Sequence, residues 1–140
     1  MRMLMALLAA MTVSSTSLLA VPSAFAANAN SSVERMPWHL TVVPEPEASV
    51  PGDVMFYDRM VFKRSRVLMD QGNKQGFEPA PFTLTPNGNG WSLTVQQASK
   101  KLGARVWSAE IVGSAMSGLM VWTREDGTIS RYRFNGQQLL

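Results

Sequence analysis

From Ala104 to Gly136 the chain reads ARVWSAEIVGSAMSGLMVWTREDGTISRYRFNG, and through most of it apolar and polar residues alternate. A period of two belongs to half-buried β-strands. Trp107, Ala109 and Ile111 share one face, as do Met116, Gly118, Met120 and Trp122, and then Tyr132 and Phe134. The turns test these faces against each other. A two-residue Gly113-Ser114 loop pairs Val112 with Ala115, which sets Ile111 opposite Met116, Ala109 opposite Gly118 and Trp107 opposite Met120. A three-residue loop Glu125-Asp126-Gly127, with Gly127 in the left-handed region, sets Trp122 opposite Ser130, Met120 opposite Tyr132 and Gly118 opposite Phe134. A shorter loop would place Arg131 opposite Trp122, and a one-residue slip turns every side chain to the wrong face. In this register Gly118 lies between Ala109 and Phe134, where the missing side chain leaves room for the aromatic ring.

The rest of the chain continues the pattern more loosely. Trp38, Leu40 and Val42 alternate with His39, Thr41 and Val43 in a first strand. Pro44 to Gly52 is a loop, because its three prolines cannot feed a sheet ladder. A second strand, from about Val54 to Phe62, places Phe56, Asp58, Met60 and Phe62 on one face. Taking Arg64-Ser65 as the next turn pairs Phe62 with Val67 and Met60 with Met69. Asp70 to Gly76 is polar and reads as a loop. Phe77 to Thr85 reads as extended, with Pro79 and Pro81 confining its first half to an edge or an irregular stretch. Pro86-Asn87-Gly88-Asn89-Gly90 is the strongest turn signal in the chain. Trp91, Leu93 and Val95 then face inward, and Gln97 to Gly103 reads as a polar link. None of the connections resembles a crossover helix, so the strands are antiparallel. The predicted fold is all-β, an eight-stranded antiparallel up-and-down barrel, with a two-sheet β-sandwich as the alternative.

The first residues fall outside this pattern. Arg2 precedes a mainly apolar, uncharged stretch from Leu4 to Ala20, and Pro22-Ser23-Ala24-Phe25-Ala26 ends in a small-residue cleavage signature. Residues 1–26 are expected to be a secretory signal peptide, residues 27–36 a disordered N-terminal stub, and residues 37–140 a single barrel domain. Cleavage after Ala29 is a variant of the same reading. The expected location is periplasmic or secreted, and no later run is long and apolar enough to insert in a membrane as a helix. The chain has no cysteine, so packing rather than disulfides must hold the fold.

The run W-x-A-x-I-x-G-x-x-M-x-G-x-x-x-W-x-x-x-x-G-x-x-x-x-Y-x-F-x-G, Trp107 to Gly136, resembles small secreted bacterial barrels of lipocalin-like (calycin-type) design, mostly of unassigned function. Gly76-Phe77-Glu78-Pro79 and Phe56 to Phe62 follow that pattern more loosely. The resemblance rests on core and turn residues, so it implies fold and export rather than chemistry. Secreted metalloprotease inhibitors have a similar barrel, but the disulfide usual in that family and a recognisable inhibitory N-terminal segment are absent from this sequence.

Composition narrows the chemistry further. The net charge of +3 gives no electrostatic case for nucleic acid. His39 is the only histidine, its parity puts it on the outer face, and no second histidine or cysteine completes a metal set. No glycine-rich phosphate loop is present. No enzyme, metal or cofactor is therefore expected. Asp58 is the one acid at inward parity; because a lone buried carboxylate is costly, a bulge or a rim position is expected to turn it to water, the alternative being an inward arginine partner. Arg105 lies opposite Trp122 at a strand end, which suits a rim arginine stacked on an indole and reaching water, or a cation at the barrel mouth that holds a carboxylate. The candidate ligand-binding set is Arg105, Trp107, Met120, Trp122 and Tyr132. The outward Val106, Leu119, Val121 and Ile129, beside Arg131, Arg133 and Glu110, are explained most simply by ordinary surface alternation, and an apolar strip rimmed by arginines also suits a protein-binding face. With at least three tryptophans, three phenylalanines and several methionines directed inward, a small or filled interior is expected. The favoured reading is an exported interaction or inhibitor-like module with a protein partner, and the alternative is a binding protein for a small apolar or amphipathic ligand inside the barrel.

Overall fold

Alternating strands joined by short connections close on themselves in the computed structural model, which describes residues 32–139. The expected signal peptide and the stub through residue 31 lie outside the described residues. Eight strands follow one another in sequence order around a closed barrel: β1 (Trp38–Pro44), β2 (Phe56–Lys63), β3 (Arg66–Met69), β4 (Ala80–Asn87), β5 (Gly90–Ser99), β6 (Gly103–Val112), β7 (Ala115–Thr123) and β8 (Ile129–Gln138). Every neighbouring pair is antiparallel, and β1 against β8 completes the ring. Closure removes the free edges that an open sheet must protect.

The register agrees with the hydrophobic pattern through the C-terminal half. Trp107 pairs with Met120, Ala109 with Gly118 and Ile111 with Met116, and across β8 Gly118 pairs with Phe134 and Met120 with Tyr132. Phe62 against Val67 and Met60 against Met69 hold as expected. Gly127 takes φ +85° in its loop. Gly118 lies between Ala109 and Phe134 as expected and meets a further demand. A Cβ there would collide with the Ser108 carbonyl oxygen and stand 2.7 Å from Ala109 Cα. The glycine also lets the β6 and β7 backbones approach closely.

Three expectations are corrected. Residues 32–36, expected to be disordered, dock against the barrel: Val33 is buried in the core, and its carbonyl accepts from Trp38 Nε1 at 3.0 Å. The Gln138 side chain donates to the carbonyls of Ser32, Val33 and Met36. The expected loop Asp70 to Gly76 contains a helix, α1 (Asp70–Gln75). Its first-turn amides, Gln71 N and Gly72 N, donate to the Asp58 carboxylate on β2 at 2.8 and 3.2 Å. That cap comes from another strand, so no local sequence signal announces it. The expected link from Gln97 is strand through Ser99, and Gln97 points into the barrel.

The two ends of the barrel are unlike. At one end the connections are two-residue turns, at Arg64-Ser65, Gly88-Asn89 and Gly113-Ser114, and Val33 with Trp38 packs there. At the other end lie the longer segments: residues 45–55, which include a short 3-10 turn Pro46–Ala48; α1 with the residues up to Pro79; residues 100–102; and residues 124–128. Between the ends the interior is solid. Trp38, Val42, Met60, Val67, Val95, Trp107 and Met120 have no accessible surface. Phe62 on Phe82 and Trp107 on Phe134 meet edge to face at 5.0 and 5.1 Å between centroids.

Candidate functional site at the barrel mouth

At the long-loop end a cleft of about 620 Å³ opens above this core. Its walls come from the strap Val50–Val54, from Phe56 at the head of β2, from Gln75 at the end of α1, from Leu102, and from Arg105, Trp122, Arg124 and Tyr132. All except Arg124 and the loop residues sit at or near the ends of structural elements. A rigid barrel thus fixes their backbones while the loops shape the opening.

Arg105 is the centre of the arrangement. β6 begins at Gly103, and the pairing Arg105↔Trp122 sets the guanidinium beside the indole. The guanidinium carbon lies 4.1 Å from the Trp122 ring centroid, 4.1 Å from that of Phe77 and 5.6 Å from that of Phe56. Aromatic faces on this scale favour the charged form. The stack on Trp122 agrees with the sequence, but Arg105 does not reach out to water as a rim residue would: it is 2% exposed. Its polar contacts are sparse. One Nη donates to Gln75 Oε1 at a long 3.3 Å, and among the described residues Nε has no hydrogen-bond partner. Burial pushes the guanidinium pKa down to about 10; the nearby Asp58 acts against this shift and Arg124 adds to it.

Asp58 is neither bulged nor turned to solvent. It pairs regularly with Leu40, is 6% exposed, and accepts three backbone amides, from Arg59, Gln71 and Gly72. Burial raises its pKa, and those amides and Arg105 only partly offset the effect. No ion-pair contact joins it to Arg105, so the attraction between them acts at longer range. Gln97, the strand partner of Arg105, accepts from Trp107 Nε1 at 2.7 Å.

A second guanidinium is already committed. Arg124 lies 4.1 Å from the Trp122 centroid, donates to Ser130 Oγ at 2.8 Å and pairs with Asp53 at 2.6 Å. Asp53 also accepts from Val50 N at 2.8 Å and hydrogen-bonds the Tyr132 hydroxyl. Burial opposes ionisation of Asp53, but hydrogen bonds from Ser130, Val50 and Tyr132, with the Arg124 charge, outweigh it and hold the carboxyl below its ordinary value. The Tyr132 hydroxyl is pushed up to about 12, by burial first and then by Asp53. These contacts fasten the strap Val50–Val54 across the mouth.

Of the candidate set, the structure brings Arg105, Trp122 and Tyr132 together on the cleft, whereas Trp107 and Met120 lie beneath it in the packed core. Sequence reasoning missed Asp53, Gln75, Phe56, Phe77 and Arg124 as members of the mouth. The parity of Phe56 and its place at a strand head carried some signal. Asp53 carried none, since its partner is 71 residues away. His39 is exposed on the outer face of β1. Among the described residues no cluster of three His, Asp or Glu side chains is placed to hold a metal ion, and no helix is long and apolar enough to cross a membrane.

The strand order and closure show an antiparallel eight-stranded up-and-down barrel with which a lipocalin-like design is compatible. No family model, no curated protein and no solved structure matches this chain.

Proposed function

We propose that the protein is a non-enzymatic binding module of lipocalin-like design, exported from the cell, that takes a small amphipathic acid at the mouth of a filled barrel. One observation carries the reading: Arg105 is a nearly fully buried cation on the wall of an apolar cleft, set in the corner between the Phe77 and Trp122 rings, and among the described residues no carboxylate makes ion-pair contact with it and its Nε has no hydrogen-bond partner. Burying a charge is expensive unless it is paired. An anionic ligand group supplies the missing pair, while Phe56, Trp122, Leu102 and Val54 cover its apolar body. Gln75 holds the acceptor position in the free protein, and a carboxylate is the stronger acceptor for a guanidinium.

A second reading, an interaction or inhibitor-like module, draws on exposed apolar side chains beside the mouth. Val54, Met55 and Tyr57 stand open to solvent, and the pairing Val42↔Phe56 brings them next to the exposed Val43. Tryptophan fluorescence titrated with a panel of fatty and aromatic acids separates the two, because Trp122 forms a wall of the cleft. The mouth reading expects saturable quenching that weakens about tenfold or more in Arg105→Met, a change that keeps much of the stem and removes the charge. A flat response to every acid would reject it and leave the surface reading.

A further inference from the structure

We infer that the ligand of this cleft is a compact acid with a single negative charge and a flat, ring-like body, rather than a long-chain fatty acid or a dianion. The inference rests on the mouth reading above and concerns which acid the mouth accepts.

Charge comes first. Two guanidinium groups line the cleft, but Arg124 is paired with Asp53 at 2.6 Å and bonded to Ser130. The Asp53 side chain is only 4% exposed, so solvent screens that pair weakly. Among the described residues no carboxylate makes ion-pair contact with Arg105, Asp58 acting on it only at longer range, which leaves its positive charge for the ligand. A second carboxylate would meet Asp53 in the same cleft, where Arg124 is already paired.

Depth comes next. The cleft stops above Trp107 and Met120, neither of which has any accessible surface. A long acyl chain therefore finds no tunnel along the barrel axis, and most of it would remain in water. Shape completes the argument. Phe56 and Tyr132 meet edge to face at 5.8 Å and give the cleft aromatic walls, while the Trp122 indole beside them already carries Arg105 and Arg124, each 4.1 Å from its centroid. Such walls favour a flat ring over a flexible chain, which would also lose more conformational freedom on binding.

The test is calorimetric titration of the purified protein with three probes: 1-naphthoate, 2,6-naphthalenedicarboxylate and dodecanoate. The expected order places 1-naphthoate ahead of both others by about tenfold, the scale of one lost charge pairing or one unburied chain. Asp53→Asn releases Arg124 and is expected to shift the preference about tenfold toward the dicarboxylate. If that variant fails to fold, the order in the unmodified protein still decides. Dodecanoate or the dicarboxylate binding most tightly, with affinity lost in Arg105→Met, overturns the inference and leaves the mouth reading standing. Absence of saturable binding by all three probes overturns both.

Discussion

Replacing Gln75 with glutamate would put a carboxylate where a neutral amide oxygen now accepts from Arg105. The existing contact is long, 3.3 Å, and joins an exposed side chain to a buried guanidinium. That bond already has one ionised partner, so the exchange turns it into an ion pair with one exposed member, and such pairs contribute about 0.2–1 kcal/mol. Solvent around the exposed glutamate keeps the expected gain at or below about 1 kcal/mol. The same carboxylate would occupy the place proposed for the ligand's acid group, and displacing it would bring two negative charges together. Gln75→Glu is therefore expected to raise the urea midpoint at unchanged m-value while weakening binding of an aromatic acid about tenfold or more. Gln75→Ala removes the internal competitor without adding charge, so it is expected to strengthen binding severalfold, the scale of about 1 kcal/mol for one long hydrogen bond. Urea unfolding followed by tryptophan emission, beside titrations of both variants, reads these effects. A glutamate variant that is both less stable and unaltered in affinity would refute the placement of the ligand's acid on Arg105.

Other expectations follow from the same structure. Asp53 is held below its ordinary value, so the stability it contributes is present above pH 3.8 and lost as pH falls through the lowered value; Asp53→Asn should narrow its deficit against the unmodified protein in acid. Asp58 is raised instead, so its contribution is fullest below 3.8 and declines as pH rises through the raised value; the deficit of Asp58→Asn should widen in acid, and denaturant titrations across the acid range would show the two trends diverging. Gly118→Val drives a side chain into the Ser108–Ala109 backbone and is expected to cost about 3 kcal/mol or more, while the outward Thr123→Val changes little; equal midpoints for Gly118→Val and the unmodified protein would contradict the close approach. Val33→Ala is expected to cost about 1–2 kcal/mol because this side chain belongs to the core, and no loss of stability would show that the segment 32–36 is not docked in solution.

The barrel was legible in the sequence because strand parity is a local property. Trp107, Met120, Tyr132 and Phe134 must share a face if the chain alternates, and the turns at Gly113-Ser114 and Gly127 allow a single register that keeps them together. Once that register is set, Arg105 must lie beside Trp122, so the centre of the mouth followed from the same alternation. What tertiary structure decided are the pairings that parity cannot reach. Asp58 looked like a misplaced charge because its ligands are the amides of a helix more than ten residues downstream, and α1 looked like a loop because its cap is that same carboxylate. Each explains the other only after folding. Val33 gave no periodic signal in its short polar surroundings, yet the bottom of the barrel buries it beneath Trp38. The charge state of the mouth was equally hidden. Arg124 and Arg105 are alike in sequence, but closure of the barrel carries Asp53 to one of them and leaves the other facing an apolar cleft.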